Sequence, residues 1–438
     1  MITTLIGKTF LKAYNEKYKT QYEAKEFFEE VFFELFFNHP KYLQWVTNSP
    51  FVQMRRGQKV HSLTTDERIE KLSDFYEKVE TLDPDASFAI GFPAAETKDF
   101  ASTSGLVSDL VIETDEEEVY YSWFGGALGI GVAGGYNILL DEPGILLEIF
   151  DGWKYYRKYL NDPTLDKLRA NQVNSWNGQW LTYKLGNHFR EDFLFRDLEL
   201  EKVFKVTDKL IEVNTVNWSN LFFSLSNKLP DKTLSAYIYS LGQTNKTIGF
   251  IPIHLKSGNK LIEINKQLYG TTDTFDSREF QALFGRHIKR ACELGSIGLQ
   301  ALRPKGLTKY FNSSKNFTFN REQDLINYQS YKIWLIAMMT KNKEEVTDYT
   351  MEIAALILRF RGVAKGTTGK NLIEKELLAA GSKRYFLEAL SAMVEVLKDD
   401  DLEALKKLRN EVHLMTNEEF VYFNTLLKFD YKYLEKQS

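Results

Sequence analysis

The spacing of apolar residues changes once along this chain and does not change back. Up to about residue 277, helix-like and strand-like runs alternate; beyond it, apolar residues recur at three- and four-residue steps to the end. A chain that switches period once is predicted to be α+β: a mixed N-terminal body with an antiparallel-type sheet, then an all-α helical bundle. We place the body at 1–305, the bundle at 320–438 and a connector at 305–320.

In the body, Tyr22, Phe27, Phe28, Val31, Phe32, Leu35 and Phe36 predict a helix over 22–37 that His39-Pro40 ends. Ile69, Leu72, Phe75, Tyr76 and Val79 predict a second, with Thr65 and Asp66 as caps. Strands are expected over 87–92, 105–112, 119–124, 136–140, 203–216, 234–241, 247–255 and 260–264. Pro143 opens a helix carrying Leu146, Leu147, Ile149, Phe150 and Trp153. Later helices are expected at about 277–294, 320–340, 344–361, 371–379, 383–398, 401–411 and 416–433.

With 32 Phe and 23 Tyr in 438 residues there is ample material for a core. The single cysteine, Cys292, cannot form an internal disulfide or a cysteine-rich zinc site, which fits a reducing compartment. The N-terminus does not read as a signal peptide, and no stretch nears the ~20 apolar residues of a membrane span. The expectation is a cytoplasmic chain with no membrane partner.

Net charge is −4, which by itself argues against nucleic acid. The average hides an asymmetry: residues 278–384 hold 19 Lys and Arg against 10 Asp and Glu, a net of +9, so the remainder carries −13. A basic block on an acidic chain is the pattern of one nucleic-acid face among surfaces that avoid it. A solvated helical surface with chance bias is the other reading.

Catalytic signatures fail in turn. Gly129-Ile-Gly-Val-Ala-Gly134 matches the dinucleotide fingerprint, but a strand-like run follows where a helix N-terminus is needed; a closely packed glycine loop is the better reading. Gly366-Thr-Thr-Gly-Lys-Asn371 lacks the first glycine and the Ser/Thr of a phosphate loop, leaving a basic turn at Lys365 and Lys370 or a plain connector. Arg409 and His413 lie four apart on one helix face, one short of a spacing that some helical ribonucleases use; an ordinary helix end is the alternative. No histidine pair has metal spacing, and Cys292 reads as core.

The basic clusters remain: Arg55, Arg56 and Lys59; Arg286, Lys289 and Arg290; Arg303, Lys305 and Lys309 beside Tyr310 and Phe311; and Lys383-Arg384. Cations neutralise phosphates and aromatics stack on unpaired bases. Two polar stretches, read as loops, hold amides suited to base edges: Asn174 and Asn177 among tryptophans, and Gln243 and Asn245, with Lys246 beside them, between strands. Turn chemistry explains both equally well.

The layout as a whole resembles the large subunit of type I CRISPR Cascade complexes, in the small I-A/I-B-like branch. The resemblance is spread over Asn48-Ser-Pro-Phe-Val-Gln53, Thr103-Ser-Gly-Leu-Val-Ser-Asp109, 242–254 and 408–423. It implies a subunit with no cofactor and no reaction of its own. Such a subunit sits by the 5′ handle of the guide RNA. Its body recognises the short motif beside the target (the PAM) in duplex DNA, and its helical domain lies along the displaced strand. Other Cascade subunits are partners, and a recruited helicase-nuclease cuts. Some relatives carry paired cysteines for zinc; this chain lacks them, so no metal is transferred.

On that resemblance, Arg286, Lys289, Arg290, Arg303, Lys305, Lys309, Lys365, Lys370, Lys383 and Arg384 are expected on phosphates. Arg55, Arg56, Lys59, Asn174, Asn177, Gln243, Asn245 and Lys246 are expected at the PAM or the handle. The alternatives are a ribonuclease using Arg409 and His413, and a scaffold without nucleic acid.

Overall fold

Helix α1 (Ile2–Tyr18) stops where Lys19 turns into the left-handed region at φ 58. Its Gly7 faces α3 (Glu116–Ala127) so closely that a Cβ there would overlap the Tyr121 carbonyl. A Cβ on Gly125 would in turn overlap Thr3 O, so the two helices cross backbone to backbone. The computed structural model describes every residue except 48, 86, 93–113, 241–242, 312–314, 341–347, 364–366 and 395–398; for 243–246, 367–368 and 399–400 it describes the backbone alone. The chain forms two compact units, Met1–Lys256 with His287–Gly298, and Ser257–Arg286 with Leu299–Ser438. The division falls ahead of the change in apolar period. Residues 287–298 belong to the first unit because Ile297 pairs with strand: His254 N–H donates to Ile297 O, and Ile297 N–H to Pro252 O, both at 2.8 Å.

The first unit is a mixed body built on phenylalanines. The helix expected over 22–37 forms as Ala24–Phe27, a π-helical turn Phe28–Phe33 and Glu34–Phe36. The wide turn brings Phe28, Phe32 and Phe33 all inward. Phe10, Phe27, Phe124 and Trp153 pack ring against ring around them. Helix α2 (Thr65–Thr81) opens on a capping box of Thr64 and Glu67. Helix α4 (Pro143–Leu160) follows the sheet's first hairpin, and α5 (Val173–Lys184) and α6 (Trp218–Lys228) complete the shell.

The sheet is antiparallel throughout, in the order β1 (Ile130–Val132), β2 (Tyr136–Leu140), β5 (Thr233–Ser240), β6 (Gln243–His254). β3 (Phe204–Val206) and β4 (Ile211–Val213) form a separate hairpin.

Several expected strands are something else. Residues 119–124 lie in α3, because Asp115 accepts the Glu118 N–H at 2.7 Å and three glutamates sit at the positive end of the helix. Residues 87–92 are turns, pinned by Trp123 Nε1–H donating to Phe88 O at 2.8 Å. Residues 260–264 lie in α7 (Lys256–Tyr269), where Leu261 and Ile264 are the buried face. The expected strand 105–112 lies outside the described residues. The helix expected over 277–294 is two short ones, Arg278–Gln281 and Ile288–Cys292, parted where Gly285 takes φ 83.

The second unit is helical, with no strand among its described residues. Its main helices are α8 (Glu322–Met339), α9 (Tyr349–Val363), α10 (Lys383–Ser391), α11 (Asp399–Leu414) and α12 (Asn417–Gln437). One core of Ile357, Phe360, Phe386, Met393, Leu408, Val412, Phe423 and Leu427 joins the last four. A buried ion pair ties α8 to α12: Lys332 Nζ lies 3.2 Å from Asp430 Oδ1, and 2.7 Å from Asp348 Oδ1 at the head of α9.

Candidate nucleic-acid interface

The cations that come together do so between α10 and α11. On α11, Leu405, Leu408 and Val412 turn into the core, which leaves Lys406, Arg409 and His413 in one outward stripe at steps of three and four. On α10, Phe386, Ala389 and Leu390 turn in, and Ser382 caps the start by accepting the Tyr385 N–H. Lys383, Leu387 and Val394 then face the α11 stripe across a groove of about 810 Å³. Among the described residues its walls carry Lys383, Arg384, Lys406, Arg409 and His413 against one carboxylate, Glu388. Leu387, Leu390, Val394, Leu402 and Leu405 make it apolar along its length. Lys383 Nζ donates to Met415 O at 2.7 Å, just past the C-terminal end of α11, so Lys383 and Arg384 stand at the Arg409–His413 end.

These side chains are lightly held. Arg384 pairs with Glu388 at 2.8 Å and Lys406 with Glu403 at 3.1 Å, both solvent-exposed pairs. Arg409 donates to the neighbouring Asn410 amide. Exposed pairs contribute little, so each cation can exchange its partner for a phosphate oxygen.

A second feature lies in the N-terminal unit. The turn joining β1 to β2 places Gly134 at φ 102 and Gly135 at φ 79, values that L side chains rarely adopt. The tip is bare of side chains on one side and touches His287 on the other, where a Cβ on Gly134 would come 3.0 Å from Nε2. Exposed Lys289 and Arg290 follow on the next short helix, Arg290 paired with Glu293 at 2.7 Å. Because β2 follows the glycines, no helix N-terminus stands there for a pyrophosphate.

The other expected contacts are dispersed. Arg286, Arg303, Lys305 and Lys309 belong to the helical unit, but none lines the groove. Arg303 lies over Phe311, Lys309 over Tyr310, and Lys305 donates to Ala282 O at 2.8 Å. Lys370 is exposed on the short helix Thr367–Asn371; Lys365 lies outside the described residues. Arg55 is paired with Glu70, and Arg56 and Lys59 are exposed beside it. The side chains of Gln243, Asn245 and Lys246, at the start of β6, lie outside the described residues.

One expected amide, Asn177, is not available to bases, and Asn174 is half-buried with its Nδ2 engaged. Residues 171–180 are largely helix α5, not a polar loop. Asn177 is wholly buried: its Nδ2 donates to Ala127 O (2.7 Å) and Gly129 O (2.8 Å), and its Oδ1 accepts from Trp153 Nε1 (3.0 Å). Asn174 donates to Gly129 O at 2.9 Å. Both amides fasten α5 to the glycine-rich segment. Cys292 is buried as well, and burial pushes its thiol up to about 11.

Among the described residues no group of three or more His, Cys, Asp or Glu could hold a metal ion. Nor is any helix there long and apolar enough to cross a membrane. No family model, no curated protein and no solved structure matches the chain.

Proposed function

We propose that this chain is a non-catalytic, cytoplasmic nucleic-acid-binding protein. In our reading it serves as the large subunit of a CRISPR Cascade complex, alongside a guide RNA, a target duplex and a recruited helicase-nuclease. The observation that carries nucleic-acid binding is the groove between α10 and α11, where, among the described residues, four permanent cations and a histidine face one carboxylate. In such a subunit the guide reads sequence, and protein need only hold backbone and a short motif. The cationic walls suit the backbone. The glycine tip beside His287, Lys289 and Arg290 suits close approach to a duplex groove.

The test is salt dependence. Replacing Lys383, Arg384, Lys406 and Arg409 by glutamine should weaken binding evenly across sequences. It should also flatten the log–log salt slope by roughly 3, at about 0.7–0.9 per lost phosphate contact. An unchanged slope removes the groove from the interface.

One observation favours a second reading. Arg409 and His413, the pair that suggests a helical ribonuclease, line this same groove. Incubating the pure chain with RNA decides it: cleavage that His413→Ala abolishes establishes an enzyme, because general acid–base help from a histidine is worth about 10²–10⁴-fold.

A further inference from the structure

A separate set of cations gathers in the N-terminal unit, around the loop 37–43 after the phenylalanine-rich helix. Arg157 of α4 is 8% exposed. Its Nε donates to Leu35 O at 2.8 Å, its Nη1 to Lys41 O at 3.0 Å, and its Nη2 again to Leu35 O. These acceptors are neutral carbonyls, which satisfy the hydrogen bonds but leave the buried charge uncompensated. Burial accordingly lowers the guanidinium to about 9.

Lys41 also spends its ammonium on carbonyls, Asp166 O at 2.7 Å and Leu168 O at 3.4 Å, with the exposed Asp166 carboxylate in range. Arg68, at the start of α2, donates from Nη2 to Leu63 O at 2.6 Å, and its Nε is buried with no partner among the described residues. Tyr42 is 3% exposed; its hydroxyl is likewise buried and unpartnered, and it lies in the field of Arg68. His39 is half-buried at the same place. Its Nδ1 accepts the Lys41 N–H at 2.9 Å, and Asn161 hydrogen-bonds the ring. The charges that act on it are Arg157 and Arg68.

We propose that His39, Lys41, Arg68, Arg157 and Tyr42 form a binding site for an oxyanion of the phosphate class. Unlike the groove, this site has a buried guanidinium at its base and two vacant donors, Arg68 Nε and the Tyr42 hydroxyl. A phosphate seated there would take hydrogen bonds from these donors and supply the negative charge that the carbonyls do not. The anion is free phosphate or a phosphate carried on a nucleotide. The site is independent of the nucleic-acid reading of the groove.

The experiment follows His39 by NMR in the full chain with ¹³C-labelled histidines, His39→Gln identifying its resonance. Inorganic phosphate is titrated against chloride at constant ionic strength. Saturable shifts of His39, with its titration moved upward by the bound anion, support the site. Arg68→Met should then weaken phosphate about tenfold, the worth of one charge-assisted hydrogen bond, and Tyr42→Phe several-fold. Tyr42→Phe should melt close to the parent, since its hydroxyl has no partner to lose among the described residues, whereas Arg68→Met also gives up the donation to Leu63 O and should melt somewhat lower. A 5′-phosphorylated dinucleotide and its dephosphorylated form separate the sources. A preference for the former assigns a terminal phosphate, equal binding a phosphodiester, and no binding of either a free anion. His39 resonances that respond equally to chloride, or an Arg68→Met affinity equal to the parent's, overturn the proposal.

Discussion

Asn177→Ala separates a structural amide from a base-reading one. The substitution removes two donations, to Ala127 O and Gly129 O, and the acceptor of the Trp153 indole N–H. Gly129 O keeps the Asn174 amide at 2.9 Å, so two groups are stranded: Ala127 O and Trp153 Nε1. Each buried orphan costs about 1–3 kcal/mol, and the site is fully closed to water, so the expected loss is about 3–4 kcal/mol. Asn174→Ala is the internal control. It removes the 2.9 Å bond to a carbonyl that Asn177 still holds, and should cost about 0.5–1 kcal/mol. Urea unfolding of the whole chain, read by tryptophan fluorescence, reports both, since Trp153 lies in the same unit. If Asn177→Ala lost less than about 1 kcal/mol while nucleic-acid affinity collapsed, the burial argument would be refuted.

The remaining expectations concern buried and half-buried charge. His39 is held down to about 4 by desolvation and by Arg157 and Arg68. From pH 6.5 down, the unfolded chain takes up a proton that the folded chain refuses until about pH 4, so stability falls through that window. Screening at a half-exposed site limits the loss to about 1–2 kcal/mol, and His39→Gln should flatten that part of the pH–stability curve. Asp430→Ala leaves Lys332 buried with Asp348 alone and should cost the helical unit about 3–5 kcal/mol in urea unfolding; Lys332→Met with Asp430→Leu should recover most of it. Gly134→Ala forces a side chain into φ 102 beside His287 and should lower the thermal midpoint of the first unit, by about 1–2 kcal/mol in stability.

Much of the fold was legible because period carries it. The α12 stretch shows its apolar steps openly, from Phe420 through Tyr431, and its capping box is spelled out by Thr416 and Glu419. The strand-like reading of Val119-Tyr-Tyr-Ser-Trp-Phe failed because a helix buried on nearly all sides has no polar face to mark its turn; Val119, Tyr120, Ser122, Trp123 and Phe124 are all buried in α3. Residues 171–180 misled for the opposite reason. Their amides look like loop chemistry, yet Asn177 and Gln179 are interior side chains whose partners are carbonyls far along the chain. No local pattern announces a long-range carbonyl.

The site was half legible, and the missing half is instructive. A window of net charge runs along the chain, whereas a helix gathers charge every third or fourth residue. The basic block ends at Arg384, so it captured Lys383 and Arg384 and stopped short of their counterparts on α11. Lys406, Arg409 and His413 sit in a stretch that begins with Asp399, Asp400 and Asp401, and the acidic residues cancel them in any linear sum. Folding undoes the cancellation. The backbone of residues 399–401 lies at the N-terminal end of the helix, and the cations stand three and four residues apart on the wall that meets α10. Conversely, Lys289 and Arg290 scored inside the block, yet they belong to the other unit because Ile297 pairs with β6. The spacing of Lys406, Arg409 and His413, read against Lys383, Leu387 and Val394, was present in the sequence from the start. Recognising it required asking which residues share a helical face, not how many charges share a segment.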